Sequence, residues 1–300
     1  MRRQPYPALR PGARIGIVAL SGPARRARVR RGAGILRKCG YSVAPGAHLF
    51  SRHGYLAGSD EQRAGDFNRM LRDPRIDGIL FARGGYGALR LLPCLDWEAL
   101  RRRPRLLIGF SDITAVLAAA RTRAGVPGLH GPTASTLAEP YRFHAPSFRA
   151  GLRGRLESLA LRFGAASIVR SGEARGELAG GCLSLLASLA GTPYEPDLRG
   201  KILFWEDVNE EPFRLDRMLQ QLRLSGMLRG VRGILVGKLT NCKPKGPSLR
   251  ERDLLQEYFA PLGVPVVRGI PAGHCVHARS LPIGVQAHID TRQRRVTFSE

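Results

Sequence analysis

Cysteine is scarce in this chain and shows no pairing pattern. Its five cysteines, Cys39, Cys94, Cys182, Cys242 and Cys275, are odd in number and widely spaced, with no C-x-x-C pair. That excludes a disulfide framework and a zinc ribbon, so they are read as free thiols. Long hydrophobic runs are missing as well: no stretch approaches the roughly 20 apolar residues that a membrane span needs. The basic start Met1-Arg2-Arg3-Gln4-Pro5 leads into proline-rich sequence and a strand rather than a signal-peptide apolar core, so the expected location is cytoplasmic. Lysine is the third scarcity, confined to Lys38, Lys201, Lys238, Lys243 and Lys245, and acidic residues number 24 against 48 basic ones.

The resulting net charge of +24 is therefore carried almost wholly by arginine. Such a charge raises nucleic acid or an anionic surface as a partner. The arginines, however, are spread along the whole chain and are not interleaved with aromatics. The densest runs, Arg25-Arg26-Ala27-Arg28-Val29-Arg30-Arg31 and Arg101-Arg102-Arg103-Pro104-Arg105, are short and lie in or beside predicted helices. A solvated basic surface explains them better than nucleic-acid binding does.

What is present is a globular composition, 43% apolar and 24% charged over 300 residues, enough for two domains with full cores. Strand-like and helix-like segments alternate through the first part. Residues 14–20 read as a buried strand, 25–39 as a helix ending at Gly40, and 41–44 as a second strand. Ser59 and Gln62 form a capping-box signature for a helix running to about Leu71. Residues 77–82 and 106–109 read as further strands. Short apolar strands separated by helices predict a parallel sheet covered on both faces, with ligands at the strands' carboxyl ends. The pattern weakens between residues 160 and 176, where the expected boundary separates an α/β domain (1–165) from a strand-rich one (176–300). In the latter, strands are expected over 201–205, 231–238 and 264–268, with a helix over 214–224 and a terminal hairpin (284–289 and 295–298).

Gly109-Phe110-Ser111-Asp112-Ile113-Thr114 closes one of these strands with a small residue, a serine and a helix start. This is how a nucleophile is presented at a helix N-terminus, although Asp112 and Thr114 would equally serve as capping residues. Arg83-Gly84-Gly85-Tyr86-Gly87, also after a strand, allows backbone N–H groups to converge on an anion, as a phosphate cradle or an oxyanion hole; a plain tight turn needs the same glycines. It matches neither a P-loop nor a dinucleotide fingerprint. Glu206-Asp207 ends another strand, where an acid can orient a histidine or favour the following helix dipole. His274 lies in a glycine- and proline-shaped loop suited to a general base, with His130, before Gly131-Pro132, as its rival. His274 and His277 lack the spacing of a metal site, and neither a metal nor an organic cofactor is expected. The order Ser111, Glu206, His274 is compatible with a serine hydrolase.

Together these segments resemble the LD-carboxypeptidase family of serine peptidases, which includes muramoyltetrapeptide carboxypeptidases and microcin C immunity hydrolases. The resemblance rests on residues 83–87 with 90–93, residues 109–114, Gly180-Gly181-Cys182-Leu183-Ser184-Leu185-Leu186, residues 203–208 with 214–219, and Gly273-His274 followed by 281–284. It implies an α/β fold: an N-terminal flavodoxin-like parallel-sheet domain and a C-terminal β-rich swivelling domain, commonly in a homodimer. It maps the nucleophile onto Ser111, the acid onto Glu206 and the base onto His274. The oxyanion donors map onto the backbone N–H groups of Asp112 and of the Gly84-Gly85 turn. The implied reaction is hydrolysis of the amide before the terminal D-alanine of a peptidoglycan tetrapeptide, a muropeptide substrate met in cell-wall recycling. Arg83 is the candidate for its free carboxylate, with Gly84 and Tyr86 beside it. Two departures stand out: Cys182 replaces the usual asparagine, and Trp205 is bulkier than expected and is read as a pocket-wall residue. Tyr86 and Trp205 would also suit an alternative substrate, an acyl-adenylate analogue. A basic, non-catalytic binder of nucleic acid or cell-wall polymer is the reading from a different class; its binding would survive loss of Ser111.

Overall fold

The computed structural model describes residues 4–300. Five short apolar runs build its first sheet: β1 (Arg14–Val18), β2 (Ser42–Pro45), β3 (Gly78–Phe81), β4 (Leu106–Gly109) and β5 (Gly128–His130). All pair in parallel. Residues of β3 and β4 are buried without alternation, as strands covered on both faces must be. The helix Asp60–Arg72 starts as expected. Ser59 Oγ accepts from the Gln62 N–H at 3.3 Å, while Gln62 Oε1 accepts from the Ser59 N–H at 3.1 Å.

The remaining strands are β6 (Leu161–Arg162), β7 (Ile168–Arg170), β8 (Glu173–Cys182), β9 (Ile202–Val208), β10 (Gly233–Thr240), β11 (Val266–Val267), β12 (Leu281–Ile283), β13 (Gln286–Asp290) and β14 (Arg295–Ser299). Eight of them form a mixed sheet in the order β6-β14-β13-β8-β9-β10-β11-β7. Its centre, β8 to β11, is parallel, and the terminal hairpin β13–β14 extends it in antiparallel fashion. The six-stranded sheet has the order β12-β5-β4-β3-β1-β2. The fold is thus mixed α/β, a parallel-strand sheet joined to a strand-rich one.

Two pieces of chain cross the boundary drawn from sequence. β12 leaves the C-terminal half to pair antiparallel with β5, and β6, from before residue 165, pairs with β14. A periodicity argument sees neither, because both strands are too short to show a repeat. The sheets also share apolar packing: Leu106, Ile108 and Leu129 belong to the same cluster as Phe204, Leu235 and Ile289. At their junction Arg121 donates from Nε and Nη2 to Glu177 Oε1 and Oε2 at 2.8 and 2.6 Å, with Lys201 Nζ 3.2 Å from the same carboxylate.

Candidate active site

β4 delivers Ser111 through a sharp turn. Phe110 remains extended, Ser111 has φ +65°, and a 3-10 turn over Ser111–Ile113 runs into the helix Thr114–Ala119. A positive φ at a non-glycine residue is strained, and the surroundings must hold it. Asp112, buried directly behind, accepts from the Ala88 N–H at 2.8 Å and so ties this turn to the Gly84–Gly87 loop. Burial pushes the Asp112 carboxyl above its ordinary range against these hydrogen bonds. Arg63, also buried, donates to the carbonyls of Leu20 and Gly87 and fixes the same loop from below. Gly84 packs so closely on the serine that an added Cβ would lie 2.9 Å from Ser111 Cβ and 3.0 Å from Oγ.

The candidate acid and base come from the other sheet. Glu206, near the end of β9, is wholly buried, and its Oε2 accepts from His274 twice: from the backbone N–H at 3.0 Å and from ring Nδ1 at 2.8 Å. A carboxylate on Nδ1 selects the tautomer that leaves Nε2 basic. Gly273, with φ +95°, permits this approach, because an added Cβ would fall 2.2 Å from Glu206 Oε2. The Phe110 ring lies 4.9 Å from the His274 ring and carries the serine's turn up against the base.

Ser111 and His274 line one cleft of about 660 Å³, together with Arg83, Gly84 and Gly85. Among the described residues, Ser111 Oγ makes no hydrogen bond with His274, although both line the cavity. Apo geometry of this kind tightens when substrate arrives. Three sequence candidates sit elsewhere. Tyr86 is exposed, with its ring 5.8 Å from that of Tyr55, and does not line the cleft. Trp205 is fully buried near Phe259, in the core on the far side of β9. Side chains alternate along a strand, so Glu206 facing the cleft turns its neighbour away from it, and Trp205 cannot shape the pocket wall. His130, the rival base, is buried at the end of β5 and does not line the cleft. Burial draws its pKa down to about 4, opposed by the charge of Glu206.

Sequence reasoning missed part of the cleft wall. Arg25, Arg28 and Arg142 line it, as does Glu139. Arg28 Nη2 lies 2.5 Å from Glu139 Oε1, and Arg142 donates to the other oxygen of that carboxylate. Arg25 and Arg28 stand where the chain leaves β1 for its helix. Their position at a strand's carboxyl end was the available signal, hidden by reading the run as solvated. Glu139-Pro140-Tyr141-Arg142 carried no signal. Cys182 sits across from Glu206 in the β8–β9 register, with Sγ 3.2 Å from Ser184 Oγ and 3.5 Å from Asp207 Oδ1.

This arrangement offers a hydroxyl, an oriented imidazole and backbone donors at one cavity, which is the equipment of acyl transfer. The family model for the LD-carboxypeptidase N-terminal domain matches residues 15–131, and that for the C-terminal domain matches residues 175–289. A Streptomyces coelicolor protein whose carboxypeptidase name is itself provisional is 43% identical over 99% of this chain and 97% of its own. The murein tetrapeptide carboxypeptidase of Pseudomonas aeruginosa is 36% identical over 83% of this chain and 84% of its own. Among solved structures, the microcin C7 self-immunity protein MccF of Escherichia coli, as an inactive apo mutant, matches with a TM-score of 0.86 at 27% identity. That match covers 98% of this chain and 97% of MccF.

Proposed function

The chain belongs to the LD-carboxypeptidase family of hydrolases, and we propose that it releases the terminal D-alanine of peptidoglycan tetrapeptides by serine catalysis. One observation carries the reading: Ser111 and a histidine already oriented by a buried carboxylate open onto the same cleft. In this mechanism His274 Nε2 takes the Ser111 Oγ proton as the oxygen attacks the carbonyl before D-alanine. Glu206 holds the imidazolium that forms. The N–H groups of Gly85 and Asp112 receive the oxyanion, each worth roughly 3–4 kcal/mol in hydrolases of this type. His274 then protonates the departing amine, and water releases the acyl group by the same steps in reverse.

An exopeptidase must also recognise a free carboxylate. Arg83 lines the cleft beside the glycine turn, although its Nη1 also donates to the Pro23 carbonyl at 3.0 Å. Arg28 and Arg142, braced by Glu139, extend the cationic wall towards the remaining carboxylates of a muropeptide. Arg83→Ala is expected to raise KM for the tetrapeptide more than for its amidated analogue; an equal rise removes Arg83 from this role.

The likeness to MccF favours a second reading, hydrolysis of an acyl-adenylate analogue. That reading loses the two stacking aromatics the sequence offered, since Trp205 is buried away from the cleft and Tyr86 lies outside its lining, and leaves Phe110 as the aromatic that lines it. D-Alanine release from a diaminopimelate-containing tetrapeptide, compared between wild type and Ser111→Ala, tests the primary reading. Release that vanishes in the variant supports it; no release by folded wild type moves the assignment to the adenylate substrate. The same reading makes the enzyme a homodimer, which light scattering on the eluted protein checks, and places it in the cytoplasm, which fractionation of the producing cells checks.

A further inference from the structure

His130 Nε2 and Glu206 Oε1 are both enclosed, and neither has a hydrogen-bond partner among the described residues. They lie 3.9 Å apart. The sheet dictates this meeting. His130 pairs with Gly109 of β4 on one side and with Leu281 of β12 on the other, so its ring leaves the sheet directly beside the turn that carries Ser111. Phe204 and Phe110 present rings to it at 5.2 and 6.0 Å, both nearly perpendicular, which fixes the imidazole plane. Glu206 has committed Oε2 to His274, and Oε1 looks towards His130.

We propose that His130 is a positioning residue for the catalytic acid: its Nε2–H is donated to Glu206 Oε1 and sets the carboxylate plane in which Oε2 holds His274. The present separation must shorten by about 1 Å to make that hydrogen bond. The imidazole stays neutral throughout, because burial keeps its pKa far below its ordinary value. No proton moves through it, and its one N–H satisfies a lone pair that would otherwise be stranded in an apolar surround. This inference rests on the reading of Ser111, Glu206 and His274 as a catalytic unit.

The consequence is electrostatic. A donor on Oε1 draws charge from the carboxylate and so makes the Glu206–His274 pair less eager for a proton. Removing that donor leaves more negative charge facing His274 Nδ1. Other titratable or charged groups act on this trio: Asp207, Cys182, Cys242 and Cys275 through their charge on Glu206, Lys238 through Cys275, and Arg142 and Arg279 beside His130. All remain in every variant below, so they cannot account for a difference among them.

The test is an NMR titration of the His274 imidazole in the full-length protein, which needs no substrate. His130→Phe and His130→Asn remove the donor, and His130→Gln restores an amide N–H at about the place of Nε2. The first two are expected to raise the His274 midpoint by about one pH unit, with His130→Gln returning most of the shift. On the tetrapeptide, the acidic limb of the kcat/KM profile moves with it, kcat falls about tenfold and KM is nearly unchanged. A folded Phe or Asn variant whose His274 titrates as in wild type overturns the proposal. So does a loss of activity that Gln shares fully with Phe, since that would mark a packing role alone. Wild type that fails to release D-alanine refutes the substrate assignment and leaves the titration result standing by itself.

Discussion

Replacing Gly273 by alanine should dismantle the site without touching any residue that meets the substrate. The added methyl would lie 2.2 Å from Glu206 Oε2, 2.3 Å from Cδ and 2.4 Å from Cγ, so the carboxylate has to leave. Its departure breaks the two bonds to His274, at 3.0 and 2.8 Å, each worth about 1.5–3 kcal/mol when one partner is charged. The left-handed backbone at φ +95° adds about 1–2 kcal/mol for any side chain. Relief by displacement recovers part of this, so a net loss of about 3–5 kcal/mol is expected, seen as a fall in Tm of roughly 6–12 °C. Activity should fall more steeply. With the imidazole no longer oriented, kcat on the tetrapeptide is expected to drop by about 10³–10⁴, the scale set by losing the acid of a triad. Gly34→Ala is the control: its Cβ meets nothing within 4 Å and its helix gains about 0.5–1 kcal/mol. D-Alanine release and thermal melts on both variants read the result. A Gly273→Ala enzyme with wild-type kcat and Tm would refute the claim that a buried carboxylate holds His274.

Gly84→Ala is expected to lower kcat at least tenfold with a small change in Tm, since its methyl would press on Ser111 Cβ at 2.9 Å beside the proposed oxyanion donors; an unchanged kcat would remove that turn from catalysis. At the sheet junction, burial pushes the Glu177 carboxyl up, but Arg121 and Lys201 outweigh it and leave it below its ordinary 4.5. A carboxyl held low in the fold contributes stability above its unfolded pKa and loses it as pH falls through the folded value. Glu177→Gln should therefore cost about 3–5 kcal/mol in urea unfolding at pH 7, and the gap to wild type should narrow below about pH 4.5; a gap independent of pH would contradict the ion pair's role. Among the thiols, Cys94 is exposed, whereas burial pushes Cys242 and Cys275 up to about 11 and Cys182 well above its ordinary value. Alkylation followed by mass spectrometry should mark Cys94 first and Cys182 only on unfolding; early labelling of Cys182 would disprove its burial.

The sequence made legible those parts of the fold governed by local chemistry. The β1, β3 and β4 runs are continuous apolar stretches bounded by turns, and the Ser59–Gln62 box announces its helix directly. The two residues that meet beside Ser111, Glu206 and His274, were legible as an acid closing a strand and a histidine in a glycine loop. Contacts between distant segments were not legible. β12 is three residues long and reveals itself only by pairing with β5. The outward turn of Trp205 follows once Glu206 is known to face the cleft, because strand neighbours point oppositely. Arg28 and Arg142 meet through Glu139, and no spacing along the chain encodes that contact. The pairing of His130 with Glu206 belongs to the same kind, since β5 and β9 lie in different sheets.

β12 has a consequence for the order in which the protein can be made. Synthesis runs from the N-terminus, so β1 to β5 leave the ribosome well before Leu281–Ile283, the strand that covers the β5 edge. Until then β5 exposes unpaired backbone groups, a template for wrong partners. The stretch from 281 to the end supplies β12 to one sheet and β13–β14 to the other. A nascent chain arrested anywhere before it therefore has two unfinished sheets, with His130 open along one flank. Both sheets would thus be completed only once residues 281–299 have emerged, and a chain lacking them would fail in both halves at once.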